Sequence, residues 1–303
     1  MFSLICYNHS MALDPISTLD VAAWHGPFDA ATRAAAVEAL ESGQVLYFPK
    51  LPFTVGNSEA ALLTDALSNG RAKNISRDPD GSLQGQSGAA QETAALSAMM
   101  GRFATHARAL VLGLFPGYAT SIEQARTSYR PVEIAGRKYS PLNDDKRLHV
   151  DAFPSRPQRG RRILRVFSNI HPMGGARVWH VGEPFADVAR RFAAKARKPL
   201  PLEPFLLELL GITRGRRSDY DYLMLGLHDG AKRDLDYQQT SPQLEFAFPA
   251  GTTWMCFTDQ AMHAALAGQF CLEQTFHVPV AALAHPERSP LKVLERMTGR
   301  ALV

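Results

Sequence analysis

Apolar and polar residues follow two different periods along this chain. Up to residue 114 helix-forming residues predominate. Their pattern predicts a helix over 29–43, a strand in VLYFPKLPF, a short helix over 61–70 and a long helix over 91–114. The stretch 71–88 carries turn-forming residues without any period, which predicts a mobile loop.

Beyond residue 125 the pattern changes to short strands, predicted in TSYRPVEI, RLHVDAF, RRILRVFSNI and ARVWHVG. Helical segments follow over about 185–237, and strands return in QLEFAFPAGTTWMCFTD and HAALAGQFCLEQTFHVPV. This order favours an α+β protein with an antiparallel barrel or jelly roll as its core. A doubly wound α/β fold fits less well, because no GxGxxG follows a strand.

These boundaries predict a single domain over residues 1–303. We expect a helical N-terminal part over 1–124, a core over 125–280 that carries the helical insertion, and a tail over 281–303. The first fifteen residues lack a basic segment before their apolar run, so we expect neither a secretory signal nor a membrane anchor there. Met11 is an alternative start to Met1.

The cysteine content and the charge distribution narrow the class further. The three cysteines form neither an even set nor a CxxC pair, which predicts a reducing, cytoplasmic setting. The net charge is only +4, but residues 146–177 hold eight basic residues against one acid, Asp151. Such a stretch attracts anions, although a solvated basic face is the alternative. No series of stacking aromatic residues alternates with these arginines, so we expect no nucleic-acid partner.

The stretch RLHVDAF contains a candidate metal site. In a strand His149 and Asp151 would point to the same face, because side chains alternate along it. A third ligand is available in His263, 112 residues after Asp151, with His228 as the rival. Two histidines and one carboxylate are typical of non-haem iron(II), which keeps three positions open. A zinc hydrolase is less favoured, because no HExxH pattern occurs.

Five segments carry a resemblance to a known family: HVDAFPSRP, RRILRVFSNI, RVWHVGEPF, YDYLMLGLHDGAKRD and FPAGTTWMCFTDQAMHAALAGQF. From about VLYFPKLPF to HVPV the chain resembles the bacterial Kdo (3-deoxy-D-manno-oct-2-ulosonic acid) 3-hydroxylases. The resemblance implies a double-stranded β-helix and a dioxygenase that uses Fe(II), 2-oxoglutarate and O2. It also implies hydroxylation of C3 of Kdo on Kdo-lipid A in lipopolysaccharide biosynthesis. His149, Asp151 and His263 would then be the iron ligands.

The resemblance also implies a cation for the distal carboxylate of 2-oxoglutarate. Many members of the superfamily place it on the last core strand, but residues 273–277 contain no arginine or lysine. Another branch places it on the strand after the HxD motif, where Arg165 lies fourteen residues beyond Asp151. Arg162 on the opposite face is an alternative, as are Arg126 and Arg130, and Thr275 would add a hydroxyl. We expect Arg165→Ala to weaken 2-oxoglutarate binding far more than iron binding.

The expected partner is a Kdo-lipid A type glycolipid, whose carboxylate and phosphates would meet basic residues at the mouth of the site, namely Lys146, Arg156, Arg159 and Arg161. Peripheral contact with the inner membrane would use a second basic group, Arg190, Arg191, Lys195, Arg197 and Lys198. Two alternatives stay open. One is a 2-oxoglutarate oxygenase that acts on protein or nucleic acid, and the other is a non-catalytic jelly-roll binding protein.

Overall fold

The computed structural model describes residues 14–137 and 139–303, so the choice between Met1 and Met11 lies outside the described residues. The α-helices in these stretches are α1 (Ala30–Glu41), α2 (Ala90–Leu114), α3 (Phe185–Phe192), α4 (Glu203–Leu209), α5 (Asp219–Arg233), α6 (Leu235–Thr240) and α7 (Pro290–Thr298). None of these described helices combines the length and the apolar character that crossing a membrane requires.

The strands form two sheets. They are β1 (Ile16–Thr18), β2 (Val45–Phe48), β3 (Ile75–Arg77), β4 (Leu83–Gln84), β5 (Glu123–Arg130), β6 (Arg162–Asn169), β7 (Arg177–Gly182), β8 (Gln243–Phe248), β9 (Thr253–Phe257), β10 (His263–Ala267) and β11 (Cys271–Val278). The large sheet has the order β1-β2-β9-β6-β11-β5-β3-β4, and the small sheet has the order β10-β7-β8. Apart from the parallel pair β1 and β2, all these strand pairs are antiparallel.

Helix α2 covers the outer face of the large sheet. Its buried side chains recur every three or four positions, as in Met99, Phe103 and Leu110, so one side of the helix is apolar. They join a core cluster with Leu164 of β6 and Phe276 of β11. This packing uses one face of each strand and leaves the alternate residues of β6, β11 and β5 facing the small sheet.

Three aromatic residues connect the inner faces of the two sheets. Phe167 of β6 lies 4.9 Å from Trp179 of β7 and 5.3 Å from Trp254 of β9, measured between ring centroids. All three are buried. Large rings of this kind contribute most of the apolar burial where sheets pack. The aromatic contact therefore holds the sheets together at one end of the space between them.

The helical insertion leaves the small sheet intact. Helices α3 to α6 lie between β7 and β8 in the chain, yet these two strands remain paired neighbours. Helix α5 buries Met224 and Leu227 against Leu148 and Val150 of the RLHVDAF segment. The insertion thus forms a wall over the segment that carries His149 and Asp151.

The prediction of a mixed helix and sheet protein is confirmed, as is the long helix over 91–114, but three local predictions were wrong. Residues 61–70 form short 3-10 turns instead of an α-helix, and 71–88 contain the strands β3 and β4. RLHVDAF forms one isolated bridge instead of a strand. The N-terminal part also supplies β1 to β4 to the large sheet. In 71–88 and in RLHVDAF, pairing with remote segments decided the backbone, which local propensity does not encode.

Candidate metal centre

Two remote segments of the chain pair at the candidate centre. The His149 backbone N–H donates to the His263 carbonyl at 3.0 Å, and the His263 N–H donates back to the His149 carbonyl at 2.9 Å. This reciprocal antiparallel bridge sets the two side chains next to each other, with ring centroids 4.6 Å apart. The Asp151 N–H donates to the Thr258 carbonyl at 2.7 Å, which keeps the segment extended.

The bridge brings the three predicted ligands together. One nitrogen of His149, one nitrogen of His263 and one carboxylate oxygen of Asp151 all lie within 4.8 Å of one another. All three side chains are largely buried. Donor atoms about 2 Å from a common ion would be at most about 4 Å apart, so a small inward movement is enough to coordinate one.

Hydrogen bonds determine which nitrogen of each imidazole carries the hydrogen and which one is free to bind a metal. His149 Nδ1 lies 2.7 Å from the Arg147 carbonyl, and His263 Nδ1 lies 2.9 Å from the Ala261 carbonyl. A carbonyl can only accept, so each Nδ1 carries the hydrogen and each Nε2 keeps a free lone pair. Metal-binding histidines are commonly fixed in this way. The arrangement suits a divalent ion.

The electrostatics keep the three groups in metal-binding form. Burial, reinforced by neighbouring charge, lowers the pKa of His149 well below its ordinary value, and burial also lowers the pKa of His263. Burial alone would raise the pKa of Asp151, but Arg165, the two histidines and Thr258 together outweigh burial and hold this pKa far below its ordinary value. At neutral pH the centre is two neutral imidazoles and one carboxylate.

Arg165 of β6 has the buried anionic partners that its position requires. Its Nη2 lies 3.0 Å from Asp151 Oδ2, and its Nη1 lies 2.9 Å from Glu273 Oε1. Arg130 of β5 donates to Glu273 Oε2 at 2.6 Å through Nη2. Two cations and two carboxylates therefore alternate beside the histidines. The contact of Arg165 Nη2 with Asp151 Oδ2 is an ion pair without hydrogen-bond geometry, and Arg165 Nε is buried without a hydrogen-bond partner among the described residues.

The structure separates the residues predicted to bind 2-oxoglutarate. Arg165 and Thr275 lie opposite each other in the β6–β11 register and face the same cavity. The structure corrects the prediction that Arg162 binds 2-oxoglutarate, because its side chain points to the outer face of β6. It is fully buried there, with Nε 2.8 Å from Asp259 Oδ2 and its guanidinium 3.8 Å from the Phe257 ring centroid. A side chain on that face cannot reach the cavity.

The cavity beside the centre has a volume of about 1220 Å³ and lies between the large sheet and the insertion. His149, Asp151, Arg165, Glu273 and Thr275 line its inner end. Basic residues from several elements line the rest: Lys73, Arg126, Arg130, Arg156, Lys195, Arg197, Arg217, Lys232 and Arg233. Of the four residues predicted at the mouth, only Arg156 lines this cavity. The cavity is strongly basic.

Other histidines fall outside the cluster of three. His228 of α5 lines the cavity, and its ring lies 5.5 Å from that of His149, but its Nδ1 faces Asp229 at 2.8 Å. Among the described residues it does not join the metal-binding group.

Sequence reasoning did not find the role of Glu273 in the ion-pair cluster. The only signal was its place on the same strand face as Thr275, two residues away.

Two histidines and one carboxylate, buried beside a basic cavity, are the donor arrangement of mononuclear non-haem iron enzymes. The family model described as 3-deoxy-D-manno-oct-2-ulosonic acid (Kdo) hydroxylase matches residues 23–301. The chain therefore belongs to the Kdo hydroxylase family. The resemblance inferred from the sequence is confirmed.

Solved structures of the Kdo hydroxylase KdoO, a non-heme Fe(II) alphaketoglutarate dependent dioxygenase, are similar over nearly the whole chain. The complex with alphaketoglutarate and Fe(III) is 49% identical with a TM-score of 0.92, over 96% of this chain and 98% of that chain. The cobalt(II) complex is 50% identical with a TM-score of 0.93 and the same coverage. A further KdoO structure contains succinate and Fe(III). No curated protein matches the chain.

Loss of one of the three clustered side chains should abolish tight binding of a single divalent ion. We expect His263→Ala and Asp151→Ala to weaken cobalt(II) binding by more than about a hundredfold, beyond what loss of a supporting residue costs. Calorimetric titration of the purified variants measures this. His228→Ala is the matched control and should keep the affinity of the unaltered protein. Equal losses in His228→Ala and His263→Ala would make His228 a ligand and contradict the assignment.

Arg162 should matter for stability. Its removal leaves Asp259 buried without its cation, so we expect Arg162→Ala to lower the free energy of unfolding by about 3–5 kcal/mol. The neighbouring Arg161 pairs with the exposed Glu123, and Arg161→Ala should cost less than about 1 kcal/mol. Urea denaturation of both variants gives the comparison. Similar losses of unfolding free energy in the two variants would show that the buried pair contributes no more to stability than the exposed one.

Proposed function

We propose that this protein is an Fe(II)- and 2-oxoglutarate-dependent dioxygenase that hydroxylates C3 of Kdo and consumes O2. One observation carries the proposal: the buried cluster of His149, Asp151 and His263 occurs in a chain of the Kdo hydroxylase family. KdoO, about half of whose residues are identical, has been solved with alphaketoglutarate, with succinate and with iron. These are the co-substrate, the co-product and the metal that the proposed reaction needs.

His149, Asp151 and His263 would hold the iron. The fit rests on the two free Nε2 lone pairs and on Asp151 Oδ1, which lies 3.7 Å from His149 Nε2. When bound, Fe(II) and 2-oxoglutarate together supply the oxidising chemistry that an unactivated C–H bond requires, with succinate and CO2 as co-products. The protein's own residues contribute binding, orientation and exclusion of water.

The charges beside the histidines fit both cofactors at once. Arg130 and Arg165 balance Asp151 and Glu273, so the buried cluster is neutral when the histidines are neutral. A divalent cation and a dianion added together keep it neutral, whereas the metal ion alone adds two positive charges beside an already basic cavity. Uncompensated buried charge is costly. We therefore expect metal and 2-oxoglutarate to strengthen each other's binding.

Arg165 and Thr275 are our candidates for the distal carboxylate of 2-oxoglutarate. The buried Arg165 Nε–H has no hydrogen-bond partner among the described residues, and Thr275 lies directly across from it. Arg165 also holds Asp151, which the sequence did not reveal. Loss of Arg165 should therefore weaken metal binding as well, in contrast to the expectation from the sequence alone.

Packing around the centre orients the ligands and excludes water. Trp179 stacks on the His263 ring, with centroids 5.3 Å apart and planes 27° apart. Helix α5 covers the other side through Met224 and Leu227. Arg165 keeps Asp151 ionised and directed inward. A dry, fixed environment of this kind protects a reactive oxidant from side reactions.

The basic cavity supports an anionic, lipid-linked sugar as the substrate. Arg156, Lys195 and Arg217 line it and have no carboxylate partner in the described part of the chain. They would receive the Kdo carboxylate and the phosphates of a Kdo-lipid A type glycolipid. We place the reaction at the cytoplasmic surface of the inner membrane, with peripheral contact between the protein and the lipid headgroups.

We also infer that the two sheets form a double-stranded β-helix, or jelly roll, in one domain over residues 1–303. The two antiparallel sheets and the aromatic contact between their inner faces support this inference. Within it, 1–124 would be the N-terminal part, 125–280 the core with its insertion near 185–237, and 281–303 the tail.

Activity with defined acceptors tests the proposed function. With Fe(II), 2-oxoglutarate and O2, we expect succinate in step with a Kdo-containing glycolipid, whose mass should rise by one oxygen atom. Mass spectrometry of acceptor and products measures both, and Asp151→Ala should be inactive. Succinate formed in step with a peptide or an oligonucleotide, but not with Kdo, would instead identify the alternative oxygenase.

Removal of the Thr275 hydroxyl should affect the co-substrate alone. We expect Thr275→Val to raise the KM for 2-oxoglutarate about fivefold, the effect of one neutral hydrogen bond, and to leave cobalt(II) binding unchanged. Arg165→Lys should weaken both, because lysine cannot pair with Asp151 and Glu273 in the same geometry. Ser128→Ala removes another hydroxyl from the cavity lining and is the control. An unaltered KM in both Thr275→Val and Arg165→Lys would rule out this anchor.

A further inference from the structure

The insertion carries an apolar surface that the described residues leave uncovered. Of the thirteen large apolar side chains that are exposed in the described part of the chain, seven fall within residues 200–212. We call them the leucine patch: Leu200, Leu202, Phe205, Leu206, Leu209, Leu210 and Ile212, exposed by 44% to 72%. Soluble proteins seldom expose large side chains in such a cluster unless it is a contact surface.

Polar contacts hold the patch in place. Glu203 at the start of α4 accepts hydrogen bonds from the Tyr222 hydroxyl at 3.1 Å and from the Leu200 N–H at 3.0 Å. Beyond the helix, the Arg214 N–H donates to the Ser155 carbonyl at 2.8 Å. No residue of α4 is buried. The helix is thus fixed to the protein without using its apolar side chains, which remain available to a partner.

The surroundings of the patch are strongly basic. Residues 190–217 contain eight arginines and lysines against two acids, Glu203 and Glu208. Both acids already pair with arginines, Arg197 and Arg216. The basic residues of this stretch that have no carboxylate partner among the described residues are Arg191, Lys195, Lys198, Arg214 and Arg217. A partner that complements this surface must offer apolar groups to the leucine patch and anionic groups to the surrounding arginines and lysines.

The patch adjoins the mouth of the cavity. Lys195, Arg197 and Arg217 belong both to its basic surroundings and to the cavity lining. Arg217 also bonds the Pro154 carbonyl, next to the HxD segment. A molecule bound at the leucine patch is therefore beside the entrance to the metal centre.

We propose that the leucine patch inserts into the interfacial layer of an anionic lipid bilayer, while the surrounding arginines and lysines bind headgroup phosphates. Apolar side chains ringed by cations are typical of segments that lie in this layer. A second copy of this chain is a poor occupant, because it would bring a surface of the same charge to the same place. A lipid-linked sugar would enter the cavity directly from the bilayer, a step that rests on the proposed function.

Vesicle binding tests the proposal. The probes are vesicles of phosphatidylglycerol with phosphatidylethanolamine and vesicles of phosphatidylcholine alone. We expect the unaltered protein to cosediment with the anionic vesicles, less so as salt rises, and only weakly with phosphatidylcholine. The variant Leu206→Ser/Leu209→Ser/Leu210→Ser should bind anionic vesicles about tenfold less tightly or worse, because the buried apolar area is lost.

A matched control isolates the patch. Met173, Leu235 and Met297 are exposed apolar residues elsewhere on the surface, so Met173→Ser/Leu235→Ser/Met297→Ser should bind vesicles like the unaltered protein. Both triple variants should keep cobalt(II) affinity, which shows that they fold. Equal vesicle binding by the two triple variants would overturn the proposal. So would self-association of the unaltered protein that the patch variant loses while vesicle binding is absent.

Two acceptors separate this proposal from the proposed function. With a water-soluble Kdo oligosaccharide, the patch variant should turn over like the unaltered protein, and with a vesicle-embedded Kdo glycolipid its KM should rise about tenfold. Equal KM values on the embedded acceptor would overturn delivery from the bilayer. If neither acceptor is hydroxylated while vesicle binding still depends on the patch, the proposed function fails and the docking surface stands.

Discussion

The backbone bridge between His149 and His263 is the constraint on which the centre depends. Side chains on an antiparallel pair are set by register, and a shift of one residue would turn one imidazole away from the other. The rest of the fold protects this register. Thr258 holds Asp151, Trp179 stacks on His263, and α5 covers the segment from outside. The relative positions of the His149, Asp151 and His263 side chains therefore depend on contacts with several elements of the core.

A second constraint is electrostatic. Asp151 is buried, and a buried carboxylate stays ionised only beside a cation. Arg165 provides that cation, Glu273 balances Arg165, and Arg130 balances Glu273. The cluster links β5, β6 and β11 through their inner faces. Glu273 on β11 is thus the acid that pairs with both arginines.

The sequence predicted which side chains would cluster and which arginine of β6 would face them, because strand alternation and chain order are local signals. The spacing of His149 and Asp151 and the distant His263 selected the three side chains that the structure brings together, although their roles stay predictions. Alternation along β6 also separated Arg165 from Arg162. The partners of Arg165 were beyond reach, because Glu273 comes from a strand whose register no local pattern reveals. The exposure of Leu206 and Leu209 on α4 was also not predicted, because burial depends on which elements pack against a helix.

The insertion between β7 and β8 has an evolutionary consequence. Because these two strands stay hydrogen-bonded neighbours, the exposed helix α4 and its flanking loops can be lengthened, shortened or exchanged without moving the bridge between His149 and His263. Mutations that retune the choice of acceptor can then accumulate in one segment while oxygen chemistry is inherited unchanged in another. The architecture separates two selective pressures that would otherwise compete for the same residues.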